Sequence, residues 1–296
     1  MSQENTREYR AYIANCLLNG ELPSAVGQEQ TFNVIKLNLD NLDIRLVQKP
    51  KFIVQPWDQF NGRTFYTTDL VISELEPSDF ERARRLSREV AILLSLATAS
   101  EVWDFGYHYP AIQPDKEIHS FVGCTWYGQP IIDTRFGKIV RTFLEQTWST
   151  FRALREKRQL DIAFDYVVKA QLVRQPIELG LVITFVLLEN LKTTFALQHD
   201  VPFIKGKFRK PNNHKQEYPF HDLLKAMLSS VGMSPDLSPV VKLRNTLIHS
   251  GITQLEIEAR VAIYTFAQDI VREYLLRLIG YKEEYHPYQY RFIRYD

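Results

Sequence analysis

Apolar and polar residues alternate from Gln30 onward. Phe32 and Val34, then Ile35, Leu37 and Leu39, take every second position, and Leu42, Ile44 and Leu46 resume the pattern after Asp40-Asn41. Phe52-Ile53-Val54 reads as a further short strand, Asn61-Gly62 as a turn, and Thr64 to Ile72, rich in Thr, Tyr, Phe and Val, as another strand. Period two with turn residues between the runs predicts a small antiparallel sheet. Ahead of it, Tyr9, Tyr12, Ile13, Cys16 and Leu17 make a weak apolar face, and Thr6 to Leu18 reads as a short helix.

At Pro77 the period changes. Ser78 and Glu81 have the spacing of a capping box, and Phe80, Ala83, Leu86, Val90, Leu93, Leu94 and Ala97 form a helical stripe. Arg82, Arg84, Arg85 and Arg88 fall mostly on the other side, as a solvated face or a contact surface. Glu101 to Tyr109 and Ser120 to Tyr127 read as aromatic-rich strands, joined by a loop at Pro110, Pro114 and Asp115. Their rings either pack on the preceding helix or form a platform on which bases stack.

Near Asp133 helical period takes over. Phe136, Ile139, Val140, Phe143, Leu144, Thr147, Phe151 and Leu154 repeat over several turns, and Leu160 to Leu172 reads as a shorter helix. Ile177 to Leu197 is the most apolar helix. Phe220 to Val231, Val240 to Leu247 and Leu255 to Leu278 follow as amphipathic ones. The pattern predicts an α+β chain: a small mixed α/β N-terminal domain over residues 1–135, an all-α bundle over 136–280 and an aromatic, basic tail over 281–296.

Composition adds bounds. With 45% hydrophobic and 24% charged residues, the 296-residue chain has the make-up of an ordinary globular protein. Its net charge of +1 exerts no global pull on nucleic acid, so any basic surface must be local. Cys16 and Cys124 are far apart and lack CxxC spacing, which argues for a reducing compartment and against a disulfide framework or thiolate zinc site. Residues 1–10 lack the apolar core of a signal peptide, and Ile177 to Leu188 runs into Glu189-Asn190 before it could span a bilayer. A cytoplasmic protein with no membrane contact is expected.

The chemistry gathers on Val240 to Gly251. Ser238 can cap this helix, Pro239 suits its first position, and Gly251 can take the left-handed conformation that ends it. Asn245 and His249, four apart, share a face, and Arg244 flanks them. An arginine fork matches two phosphate oxygens, an amide can orient, and a histidine can move a proton near neutrality. RNA carries its own nucleophile, the 2′-OH. Metal-free cleavage then needs proton transfer, assigned to His249, charge stabilisation, assigned to Arg244, and orientation, assigned to Asn245. No cofactor and no metal are called for. A second Arg-to-His spacing, Arg209 to His214, spans Pro211 and two asparagines and is set aside as a loop.

Arg244-Asn245-x-x-x-His249 near a helix end, followed by another long helix, resembles the signature of HEPN domains, most closely the ApeA-like branch. The resemblance covers roughly residues 136–280, and its specific part is the motif segment. It implies a helical bundle and a metal-independent ribonuclease, a hydrolase of an antiviral defence or toxin system. It further implies a homodimer that faces two motif helices across one composite cleft. Some members of such families keep the fold and only bind, so a non-catalytic dimerisation and RNA- or nucleotide-binding module, or a protein-interaction scaffold, is the alternative.

Three further features bear on the site. Glu189, on the most apolar helix, either pairs with Arg244 and fixes it or reaches solvent at the boundary. Lys205, Lys207, Arg209 and Lys210 form a cationic loop between helices that either tracks the phosphates of single-stranded RNA or is simply solvated. The tail, with Tyr281, Tyr285, Tyr288, Tyr290, Phe292 and Tyr295, offers rings to bases or docks on its own domain or a dimer partner. By position alone, the N-terminal domain is expected to receive a trigger or a partner.

Overall fold

The computed structural model describes residues 7–26, 29–52, 63–119, 129–171, 175–251 and 253–288. The chain is a mixed α/β protein built as two compact units. One comprises Met1–Trp148 with Glu284–His286, the other Ser149–Glu283 with Pro287–Asp296.

The first unit is built on seven strands: β1 (Tyr9–Ala14), β2 (Leu22–Val26), β3 (Glu29–Leu39), β4 (Leu42–Gln48), β5 (Tyr66–Ile72), β6 (Trp103–Tyr109) and β7 (Gln113–Ile118). They form one sheet in the order β2-β3-β4-β5-β1-β6-β7, with every pair antiparallel. Asp40 and Asn41 both have positive φ, 53° and 62°, the conformation of a two-residue hairpin turn whose twist matches its strands. β5 and β6 flank β1, and α1 (Phe80–Thr98) carries the chain across from one to the other. Ala83, Leu86, Val90, Leu93, Leu94 and Ala97 are buried, as their spacing predicts.

The alternating runs at 30–46 and 64–72 thus lie in strands, whereas other expectations need correction. Residues 9–14 are the interior strand β1, between β5 and β6, not part of a helix. Tyr9, Ala11, Tyr12, Ile13 and Ala14 are all buried, and a strand covered on both faces shows no alternation to read. Gln113–Ile118 is a strand rather than a loop; it lies at the sheet edge, where proline is tolerated. β2 carried no signal. The Ser78–Glu81 capping box does not form, because Pro77–Asp79 is a 3-10 turn and α1 starts without a side-chain cap bond. The expected strands at 53–54 and 120–127 and the Asn61-Gly62 turn lie outside the described residues, and Phe52 closes a 3-10 turn.

Phe105, Tyr107 and Tyr109 of β6 are packed rings, whereas Trp103 is exposed. Tyr107 and Tyr109 lie 6.0 and 6.1 Å from the Tyr9 ring and contact Phe80 of α1, while Phe105 packs with Tyr12 and Tyr66. Arg84 lies over the Phe80 and Tyr107 rings, and Arg82 pairs with Asp79 at 3.5 Å. The arginine face of α1 is therefore partly spent on its own unit.

Most of α2 (Gly137–Leu154) belongs to the first unit, and the division falls inside it, after Trp148 rather than at residue 135. The second unit continues with α3 (Leu160–Ala170), α4 (Ile177–Gln198), α5 (Phe220–Ser229), α6 (Ser238–Ser250) and α7 (Ile257–Leu278). α4 is the hub, in contact with α3, α5, α6 and α7. It is the one described helix long and apolar enough to cross a membrane, and most of that apolar stretch is buried by its neighbours. The unit is not all-α as expected. Between α4 and α5 run β8 (Phe203–Ile204), β9 (Lys207–Lys210) and β10 (Asn213–Glu217), an antiparallel sheet in the order β10-β9-β8. Lys205 and Gly206, with φ of 51° and 77°, make the two-residue turn between β8 and β9.

A polar network crosses the apolar interior of this unit. Arg158, only 1% exposed, donates from Nε to Thr194 Oγ1 (3.2 Å) and from Nη2 to the Leu191 carbonyl (3.1 Å) and the Tyr274 hydroxyl (2.6 Å). Gln171 donates to Gln268, which donates to Thr184 at 2.6 Å. Tyr288 docks on α7, its amide 2.5 Å from an Asp269 oxygen and its ring edge-on to Tyr264, so the tail at this residue packs on its own unit. Residues 289–296 lie outside the described set.

Arg158→Ala is expected to lower the unfolding free energy by ~3 kcal/mol, through a cavity plus unpaired acceptors. Arg158→Met, which refills the volume and removes the buried charge, should cost less. Urea unfolding followed by circular dichroism compares the two.

Candidate functional site

α6 begins one residue earlier than expected. Its N-cap is Leu237, without a side-chain cap bond, so Ser238 does not cap it; the Asp236 carboxylate just before accepts the Ser238 amide at 3.0 Å. Ser238, through its hydroxyl and then its amide, holds the Asp236 carboxyl below the usual carboxylate range. The far end matches expectation: Gly251 has φ 70° and its amide returns to the Leu247 carbonyl at 2.9 Å. Val240, Leu243 and Leu247 are buried, so the helix is fixed with Arg244 and Asn245 on its polar arc.

Arg244 is held from several directions. Nη2 donates to Glu189 Oε1 on α4, Nη1 donates to Asn245 Oδ1 at 2.8 Å, and the guanidinium carbon lies 4.7 Å from the centre of the Phe220 ring. The side chain is 20% exposed. Of the two readings of Glu189, the geometry gives the pairing one: its carboxylate meets Arg244 and remains partly open to solvent.

Sequence reasoning missed Lys192. Its ammonium donates to Glu189 Oε2 at 2.6 Å and lies 5.2 Å from the Phe220 ring centre and 5.6 Å from that of Phe208. The available signal was the three-residue spacing from Glu189 on a helix, where opposite charges meet. Glu189 is thus one carboxylate between two cations, and Phe220 is one ring between the same two.

An arginine has five N–H donors. Those of Arg244 meet Glu189 and Asn245, and Nε is buried without an acceptor among the described residues. The fork is fixed in direction and keeps donor capacity. Asn245 is exposed. His249 is on α6 one turn beyond Asn245, and its side chain lies outside the described residues.

The cationic residues 205–210 are not a loop but the β8–β9 hairpin. Lys205 and Lys207 are exposed, Arg209 and Lys210 half-buried. Lys207 pairs with Glu217 at 2.7 Å, which draws the Glu217 carboxyl below its ordinary range, and Arg209 donates to the Lys215 carbonyl at 3.4 Å. Phe208 of β9 lies under Lys192, so the hairpin adjoins the Arg244 cluster. Among the described residues, no group of three or more His, Cys, Asp or Glu is gathered to hold a metal ion.

Two predictions test this geometry. In a double-mutant cycle with Glu189→Gln and Arg244→Gln, the pair should show a coupling of about 1 kcal/mol in urea unfolding, modest because both side chains are partly solvated. Asp236→Ala should lower the thermal midpoint at pH 7. A carboxyl depressed in the folded state stabilises above its unfolded value and loses that contribution as pH falls through the folded one. The gap between variant and wild type should therefore close as pH drops below about 4. Comparison of the chain with protein-family models, with curated proteins and with solved structures returned no match.

Proposed function

We propose that this chain is a metal-independent RNA endonuclease, a HEPN-like protein of the ApeA-like kind acting in a defence or toxin system. The observation that carries the reading is the fixed guanidinium: Arg244, on the capped helix α6, is braced by Glu189 and Asn245 with N–H donors to spare. An arginine set in this way meets two oxygens of a phosphate without first having to be ordered.

In the proposed reaction the 2′-OH attacks the adjacent phosphorus. A bond forms from O2′ to phosphorus, the bond from phosphorus to O5′ breaks, and the products are a 2′,3′-cyclic phosphate and a 5′-OH. One base takes the 2′ proton and one acid protonates the leaving O5′. A homodimer supplies both from His249 and the partner subunit's His249, while Arg244 carries the charge on the crowded phosphorane and Asn245 orients. The absence of a 2′-OH makes DNA inert. The first unit is assigned the reception of a trigger or partner.

A second reading has an observation of its own. Glu189 occupies part of the fork that a phosphate would use, and Lys192 holds Glu189 there. A cation whose donors are partly satisfied from within suits a non-catalytic module that binds RNA or builds a dimer.

Cleavage of end-labelled single-stranded RNA in EDTA separates the two. The nuclease reading expects cutting with a cyclic phosphate end, and a loss of at least about 100-fold in both Arg244→Ala and His249→Ala while the variants remain folded dimers. RNA binding that Arg244→Ala abolishes, without cutting, favours the binding module.

A further inference from the structure

We propose that the β8–β9 hairpin seats the single-stranded RNA on which the Arg244 cluster acts, with Phe203 as the residue against which a base stacks. The ligand's identity rests on the ribonuclease reading above. The seat itself rests on a run of contacts.

The run begins at the motif and ends in solvent. Arg244 lies over Phe220 at 4.7 Å, and Lys192 over the other side of the cluster reaches Phe220 at 5.2 Å and Phe208 at 5.6 Å. The Phe208 ring then supports Phe203, centroid to centroid 4.8 Å at 55°. These two are cross-strand partners in the register of β8 and β9. Phe208 is buried, whereas Phe203 is 57% exposed on an outer strand. Cations and rings therefore alternate from Arg244 to Phe208, and Phe203 extends the run as a second, open ring.

The charge around that ring fits a polyanion. Residues 203–217 contain Lys205, Lys207, Arg209, Lys210 and Lys215 against Glu217 alone, so five positive charges less one negative leave +4, in a chain whose whole net charge is +1. The turn at Lys205-Gly206 fixes this density beside Phe203, on backbone held by the β8–β9 pairing. A single strand of RNA offers what the seat can use, a charge and a flat ring in every nucleotide. An acidic peptide would satisfy the lysines and leave Phe203 exposed.

The test measures binding, so it does not depend on turnover. The full chain carrying His249→Ala is titrated into a fluorescein-labelled twelve-nucleotide RNA in EDTA, and anisotropy gives Kd. Phe203→Ala is expected to weaken binding about 5- to 100-fold, the range for loss of one stacked base. Phe203→Tyr should restore it and Phe203→Leu should not, because stacking needs a ring rather than an apolar side chain. The salt dependence of Kd should be unchanged in Phe203→Ala, whereas Lys205→Gln should flatten it by about 0.7 in slope, the value for one phosphate contact on a single strand.

Equal affinity of Phe203→Ala and the His249→Ala parent overturns the proposal, as does full recovery by Phe203→Leu. Capture of polyglutamate in place of RNA, insensitive to position 203, overturns it in favour of an acidic protein partner. Cleavage assays on the chain with native His249 keep the two readings apart. Phe203-dependent binding without cleavage upholds the seat and removes the nuclease, and cleavage with no dependence on position 203 does the reverse.

Discussion

Glu189 stands on the most apolar helix of the chain, and two cations reach it there. A carboxylate costs free energy wherever it leaves water without a partner. Lys192 from the same helix and Arg244 from α6 remove that cost, and Phe220 offers its π-face to both cations. The arrangement ties α4 to α6 at one point and brings β9 close through Phe208. The orientation of the motif arginine is thereby a consequence of how the hub helix disposes of its one mid-helix carboxylate.

The same constraint acts along the rest of α4. Packed against four other helices, it has several of its polar groups met by neighbouring elements. Thr184 is answered by Gln268, while Thr194 and the Leu191 carbonyl are answered by Arg158, which also reaches Tyr274 on α7. These directional bonds fix how α4 meets α7 where apolar packing alone would tolerate sliding. Rigidity at Glu189 is inherited from them, and a phosphate donor is useful only if it does not need to be ordered on arrival.

What could be read in the sequence follows from what leaves a periodic trace. The helices α1 to α7 did, because each buries a stripe and keeps a polar side, or in the case of α4 is apolar enough to be unmistakable. Strands with one covered face, β3 and β4, did so through period two. β1 did not, because its neighbours cover both faces and erase the alternation, and aromatic and cysteine residues at near-helical spacing completed the illusion. β9 and β10 are short and mostly polar, held by backbone bonds and a Lys-Gly turn rather than by a buried stripe. At the site, Arg244 and Asn245 were visible by spacing, and Glu189 by its incongruity on an apolar helix. Lys192 was invisible because a lysine near a glutamate on a helix is commonplace. Only the meeting of α4 with α6 gives it meaning.

That meeting also bears on how a substrate could enter. On the proposed reading, a phosphate approaching Arg244 competes with Glu189 for the same fork, and Lys192 weighs in that contest because it also holds Glu189. If the carboxylate yields toward Lys192, the arginine gains a free edge while Lys192 keeps its counter-charge, so no charge is left unpaired during the exchange. If it does not, the phosphate must use the remaining N–H donors and bind end-on, a geometry that supports binding better than catalysis. On the proposed reading, the difference between nuclease and binding module turns on one carboxylate held by two cations, and on which of them it prefers once a second anion arrives.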